Sequence, residues 1–136
     1  MRFYIDTNIW IDLWSDRMAG IQPVGYYAKA MFDKLINSKN GLVISDFIVR
    51  ELEVNFPKDL VNERLKKLQE LGFLEIVKIT KEIFNEGKEL SRKVGIPTHD
   101  GVHVIIAKKL GLTIITRDKH FEKIKDIVKV LDPGEL

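Results

Sequence analysis

The sequence has no cysteine, no long apolar run and little net charge, and each absence excludes a class of protein. Without cysteine the chain has no disulfide framework, no thiolate metal site and no thiol nucleophile. No stretch approaches the ~20 apolar residues that span a bilayer. The acid at Asp6 argues against a secretory signal, so we expect a cytoplasmic protein. A net charge of +2 is too small to indicate nucleic-acid binding by itself.

Short apolar runs alternate with longer stretches of helical spacing along the whole chain. The length of 136 residues and the apolar share of 45% fit a single domain over residues 1–136. Alternating strands and helices predict an α/β fold, with a Rossmann-like parallel sheet of four or five strands and helices on both faces. The runs of strand length are Phe3–Ile5, Leu42–Ile44, Leu74–Val77, Thr113–Ile115 and Val128–Val130.

Four acids occupy corresponding places beside these predicted elements. Asp6 directly follows the first strand, and Asp118 comes three residues after Ile115. Glu51 lies on the helix after the second strand, and Asp100 begins the helix that leads into the fourth. Open α/β sheets bind ligands at the carboxyl ends of their strands. We therefore expect the four carboxylates to converge at one edge of the sheet.

Such a cluster requires a cation or protons. Two carboxylates about 4 Å apart repel by roughly 4 kcal/mol at an effective dielectric of 20. Oxygen-only ligation suits Mg²⁺ or Mn²⁺, which can clamp phosphoryl oxygens and activate a water for in-line attack. Taken singly, each acid is explained equally well as a helix cap or a solvated residue.

Four motifs in order give the chain a resemblance to a known family. Asp6–Ile9, after an apolar strand, resembles the opening motif of the PIN-domain nucleases. The segment Ser45–Glu51 resembles their second motif, a small hydroxyl residue followed by a helical Glu. The third and fourth motifs are matched by His99–Ala107 and Thr116–Phe121. One D-T-N sequence is weak evidence, whereas the ordered set is specific.

The resemblance implies a metal-dependent endoribonuclease close to the VapC toxins of toxin–antitoxin pairs. It implies a homodimer and a small antitoxin protein that inserts into the catalytic groove. Asn8 and Thr116 would orient the acids by hydrogen bonds. Asp6, Asp100 and Asp118 would hold Mg²⁺ or Mn²⁺. The matching acidic centre is Asp6, Glu51, Asp100 and Asp118.

Two positions depart from the family pattern. Gly101 replaces an Ala that many relatives have after the third acid, and Gly in a helix costs up to ~1 kcal/mol, so we expect a looser first turn. His120 stands where some relatives carry a further acid, so we expect any second metal site to be weak.

Several residues near the motifs have two interpretations. Arg117 and Lys119 are candidate phosphate contacts or parts of a solvated loop. His103 is either a phosphate contact or proton shuttle, or a packed histidine bonded to a neighbour. Asp12 and Glu53 are expected to face solvent.

Three other functions stay open at this stage. The chain could be a PIN ribonuclease of RNA processing or decay without an antitoxin, or a catalytically silent PIN binding module. It could also be a metal-free ribonuclease that uses His103 and His120 as acid and base. That mechanism leaves the four acids unexplained.

Overall fold

The computed structural model describes residues 1–136 and contains one sheet of five parallel strands. The spatial order of the strands is β3-β2-β1-β4-β5, counted along the chain. The sheet and its flanking helices confirm the predicted α/β class. The strands are β1 (Arg2–Ile5), β2 (Gly41–Ser45), β3 (Leu74–Val77), β4 (Thr113–Ile115) and β5 (Val130–Leu131).

Six α-helices cover the two faces of this sheet. The connections from β1 to β2 and from β2 to β3 run one way, and the connection from β3 to β4 returns past β1. Right-handed crossovers therefore place the first four helices on one face and the last two on the other. No helix is both long enough and apolar enough to cross a membrane. The helices are α1 (Thr7–Ser15), α2 (Val24–Asn37), α3 (Asp46–Asn55), α4 (Lys58–Glu70), α5 (Lys81–Val94) and α6 (Thr98–Leu110).

The central strand β1 creates the crevice where the candidate site lies. Tyr4 pairs with Val43 of β2 on one side and with Ile114 of β4 on the other. All three side chains are apolar or aromatic and fully buried, as expected for a parallel strand covered on both faces. The chain runs from β1 to β2 in one direction along the sheet and from β4 to β5 in the other, and ligand crevices open at such a switch point.

The last strand begins two residues later and ends one residue later than the sequence suggests. We expected Val128–Val130, but β5 is Val130–Leu131. The amide of Val128 instead donates to the carbonyl of Ile124, which closes the turn after a 3₁₀ helix over Lys119–Ile124. An apolar run alone does not separate a buried turn residue from a strand residue.

Two glycines allow α5 and α6 to approach each other closely. A Cβ on Gly101 would lie 2.2 Å from the carbonyl oxygen of Gly87. A Cβ on Gly87 would lie 2.5 Å from the Cα of Val102. The expectation of a looser first turn at Gly101 is therefore wrong, because the missing side chain is what brings the backbones into contact.

This contact predicts that Gly101→Ala destabilises the protein although alanine favours helices. The overlap should outweigh the helix preference and lower the free energy of unfolding by about 1–3 kcal/mol. Urea denaturation measures the change. Gly134→Ala is the matched control, because a Cβ there would meet only Asp132 Oδ1 at 3.4 Å. A stabilised Gly101→Ala variant would contradict the close approach.

Candidate active site

Asp6 ends β1 with both carboxylate oxygens engaged. Its Oδ1 accepts from the backbone N–H of Thr7 at 2.8 Å and so caps α1. Its Oδ2 accepts from the Thr116 hydroxyl at 2.7 Å and from the Asn8 amide at 3.2 Å. The carboxylate is buried, and this burial raises the pKa of Asp6. Asp6 is thus a helix cap and a member of the acidic site together.

Asn8 and Thr116 connect the end of β1 to the segment after β4. The Asn8 amide donates to Thr116 Oγ1 at 3.2 Å, and its Oδ1 accepts from the Arg117 backbone N–H at 3.3 Å. The Asp118 backbone N–H donates to Thr116 Oγ1 at 3.0 Å. These bonds fix the position of Asp118 relative to Asp6.

Asp100 and Asp118 meet at the exposed side of the site. Asp100 lies in the first turn of α6, and Asp118 caps the 3₁₀ helix by accepting from the His120 backbone N–H at 2.9 Å. His120 Nδ1 lies 3.1 Å from Asp100 Oδ2 and 3.1 Å from Asp118 Oδ1. One imidazole therefore bridges carboxylates that come from two separate elements.

Glu51 reaches the site beside a buried histidine. His103 Nε2 lies 3.4 Å from Glu51 Oε1, and His103 Nδ1 lies 2.6 Å from the Tyr4 hydroxyl, which donates to Ser45 Oγ at 2.8 Å. Burial lowers the pKa of His103, but the carboxylates of Glu51, Asp6 and Asp100 outweigh it and raise the pKa. Burial likewise would raise the pKa of Glu51, but His103 holds it below its ordinary value.

Burial and repulsion from neighbouring carboxylates raise the pKa values of Asp6 and Asp100. Burial raises the pKa of Asp100 from 3.8 to about 6, with further contributions from Asp6 and then Asp118. The charge of Glu51 raises the pKa of Asp6 in the same way. The charges of Glu51, Asp6 and Asp118 thus reach their neighbours, so the predicted acids lie within electrostatic range in one part of the fold.

The donors at this site fit a hard divalent cation. Two buried oxygens, Glu51 Oε1 and Thr7 Oγ1, accept no hydrogen bond of good geometry within the protein, and the His103 contact to Glu51 Oε1 is a longer ion pair at 3.4 Å. Unsatisfied buried oxygens are uncommon because they are costly, and here they adjoin crowded carboxylates. Carboxylate and hydroxyl oxygens are ligands that suit Mg²⁺ or Mn²⁺. Asp100 and Asp118 offer oxygens close together, and the charge of Asp6 raises the pKa of Asp100, so these three acids are the candidate ligands.

A family comparison agrees with this arrangement. The PIN domain model matches residues 3–127, which is nearly the whole chain. The chain belongs to the PIN domain family. PIN domains are generally nucleases that act on nucleic acids. No curated protein matches the sequence.

Solved structures share the PIN fold along their full length. A toxin–antitoxin complex from Klebsiella pneumoniae contains a chain with 24% identity and a TM-score of 0.65, covering 96% of this chain and 97% of its own. VapBC2 from Rickettsia felis, bound to a DNA fragment from its promoter, gives 18% identity and a TM-score of 0.69, with 97% and 98% covered. FitAcB from Neisseria gonorrhoeae gives 24% identity and a TM-score of 0.68, with 100% of each chain covered.

Of the three candidate phosphate contacts, Arg117 and His103 are engaged within the protein and only Lys119 is exposed. The Arg117 guanidinium forms a bidentate ion pair with Asp12, at 2.6 and 2.9 Å, and His103 is only 1% exposed. These contacts revise the expectation that Arg117 and His103 bind phosphate, because both side chains are already engaged within the protein. Lys119 is exposed beside Asp118.

Asp12 is a residue that the sequence interpretation misjudged. Its side chain is fully buried rather than solvent-facing. Its carboxylate accepts hydrogen bonds from the Arg117 guanidinium, and its Oδ1 lies 3.8 Å from Arg17 Nε. The sequence pattern that could have indicated this burial is its spacing: Asp12 follows the buried Ile9 by three residues, so both lie on the same face of α1. Through Arg117 it anchors the segment between Thr116 and Asp118 against α1. Glu53, by contrast, is half-buried rather than simply exposed.

The raised pKa of Asp100 predicts a stability that falls with pH when no metal is present. The unfolded chain ionises Asp100 near 3.8 and the folded chain near 6, so the folded state binds more protons between these values. Stability should therefore fall as pH rises from about 4 to above 6. Asp100→Asn should remove about 1–3 kcal/mol of this loss, after allowance for solvent screening.

Thermal melting in EDTA across that pH range measures the effect. The melting temperature of Asp100→Asn should gain on that of the wild type as pH rises, and the gain should level off above about pH 7. Asp33→Asn, an exposed acid paired with Lys29 on α2, should follow the wild-type slope. Parallel curves for the wild type and Asp100→Asn would show that this carboxyl is not crowded.

Proposed function

We propose that this PIN domain is a divalent-metal-dependent endoribonuclease and the toxin of a toxin–antitoxin pair. The observation that carries the proposal is the convergence of four carboxylates from separate elements at the switch point of a parallel sheet. The raised pKa values of Asp6 and Asp100 mean that ionising these two acids is costly unless a cation is present. A site of this kind is expected where charge is needed for chemistry.

Each acid has a role that its surroundings support. Asp6, Asp100 and Asp118 hold the ion, with Asp6 fixed by Thr116 and Asn8. When bound, Mg²⁺ or Mn²⁺ supplies charge stabilisation to phosphoryl oxygens and lowers the pKa of a water. Glu51 stays ionised at neutral pH because His103 lowers its pKa, so its carboxylate can accept a proton.

RNA is the substrate that the resemblance to the VapC toxins favours. Lys119 is exposed next to Asp118 and offers positive charge where a phosphate backbone would approach. Because its net charge is small, the protein needs such local contacts rather than a broad basic face.

An antitoxin partner is supported by the complexes in which the similar chains were solved. The similar structures include a toxin–antitoxin complex and VapBC assemblies. We infer a homodimer in which each copy accepts one basic antitoxin segment at its acidic site. Arginine suits this role because its planar fork pairs both oxygens of a carboxylate.

The histidine mechanism is disfavoured by the position of His103. The ring is buried and contacts Tyr4 and Glu51, so it cannot reach a phosphodiester from the surface. His120 is half exposed, but an acid–base pair needs two accessible groups.

The proposal predicts that Asp6→Asn and Asp118→Asn lose cleavage without unfolding. Each should reduce RNA cleavage with Mn²⁺ by more than about 100-fold, the scale seen when a well-placed electrostatic group is removed. In EDTA their melting temperatures should equal or exceed that of the wild type, because one repelling charge is gone. Asp33→Asn is the control and should retain full activity. Lower melting temperatures for both variants would favour a capping role alone.

The ends of the products test the reaction itself. Attack by water leaves a 5′-phosphate and a 3′-hydroxyl, and the substrate's 2′-OH takes no part. Labelled RNA with a single 2′-deoxy position at the cut should therefore still be cleaved. Cyclic-phosphate ends, or full activity in EDTA, would refute metal-dependent hydrolysis.

Co-expression tests the partner. The product of the neighbouring upstream gene should co-purify with this chain, suppress its activity and relieve growth arrest on over-expression. An Arg-to-Ala change in its inserted segment should weaken the complex. If no partner co-purifies and over-expression leaves growth unaffected, the toxin role is wrong, while the nuclease role is judged by cleavage alone.

A further inference from the structure

The ring nitrogen of His120 lies in direct contact with the carboxylates of Asp100 and Asp118. A ring nitrogen of His120, a carboxylate oxygen of Asp100 and a carboxylate oxygen of Asp118 all lie within 4.8 Å of one another. The His120 ring is half exposed, whereas Asp100 is 14% and Asp118 29% exposed, so solvent reaches the three side chains from one side. The set is therefore open to an ion from solution.

The backbone fixes this group of three. The His120 backbone N–H donates to Asp118 Oδ1, so the turn that carries the ring also orients the carboxylate. The same Nδ1 atom faces both carboxylates at 3.1 Å.

We propose that His120, with Asp100 and Asp118, forms a metal position that prefers Mn²⁺ to Mg²⁺, an inference that rests on the proposed function. Mg²⁺ demands oxygen ligands and octahedral geometry, whereas imidazole is a softer donor that suits transition metals. A carboxylate at residue 120 would add a negative charge, which favours a hard ion. A neutral imidazole adds a ligand without that charge.

This assignment changes the meaning of the missing acid at residue 120. The sequence suggested a weak second site because His120 stands where some relatives carry an acid. The structure brings its nitrogen to both carboxylates, so the substitution exchanges one kind of ligand for another. The consequence is a change in which ion binds.

Metal binding by the full-length chain tests the assignment without reference to cleavage. Protein stripped with EDTA is titrated with Mn²⁺ or Mg²⁺ by calorimetry, and the rise in melting temperature is recorded for each ion. The wild type should bind Mn²⁺ at least about tenfold more tightly than Mg²⁺. His120→Asn should weaken Mn²⁺ binding by about tenfold or more, and His120→Asp should close the gap by strengthening Mg²⁺.

A spectroscopic readout identifies the ligand itself. Pulsed electron paramagnetic resonance of bound Mn²⁺ should show coupling to an imidazole nitrogen in the wild type and none in His120→Asn. His99→Asn is the matched control, because His99 is exposed and packs on Phe47 with ring centroids 5.0 Å apart. That variant should keep both the nitrogen coupling and the ion preference.

The outcomes separate this inference from the function on which it rests. Mn²⁺ binding without nitrogen coupling, or equal Mn²⁺ and Mg²⁺ affinities in the wild type, overturns the role of His120 and leaves a metal-dependent nuclease intact. Failure of the wild type to bind either ion overturns the metal-dependent function and the His120 assignment together.

Discussion

Repulsion among four carboxylates that lie far apart in sequence is the constraint that the surrounding structure has to offset. Burial and mutual repulsion raise the pKa of Asp6 and Asp100. The fold offsets part of this cost with donors to Asp6 and with His103, whose pKa the same carboxylates raise. Contact with His103 also holds the pKa of Glu51 below its ordinary value. The electrostatics of the site thus depend on a buried histidine, His103.

The geometry of the cluster depends in turn on packing that carries no charge. The central strands are fully buried apolar runs, so the ends of β1 and β4 cannot shift relative to each other without disturbing the core. On one face, the contact of Gly87 with Gly101 sets the position of α6 and thus of Asp100. On the other, Asp12 and Arg117 tie α1 to the segment that carries Asp118. Each acid is held by a different kind of contact.

The order of elements and the positions of the acids could be predicted because their signals are local. A run of β-branched residues indicates a strand, and an acid at its end falls at the carboxyl edge whatever surrounds it. The burial of Asp12, the close approach at Gly101 and the contacts of His120 could not be predicted in this way. Each depends on a partner that lies between 14 and 105 residues away and meets it only in the folded chain. Local pattern therefore locates the site, and tertiary contact decides its chemistry.

Binding of a metal ion and binding of a basic antitoxin side chain would be linked, because both offset the repulsion among the carboxylates. Any cation that binds the folded site and has no site in the unfolded chain stabilises the protein by an amount that rises with the logarithm of its concentration relative to its Kd. A metal ion and a basic side chain offset the same carboxylate charge, so each should weaken the binding of the other by the same factor. An antitoxin arginine would then act by displacing the ion as well as by blocking RNA. Under the proposed function, the unbalanced carboxylate charge that attracts a catalytic metal ion would also attract the basic side chain of an inhibitor.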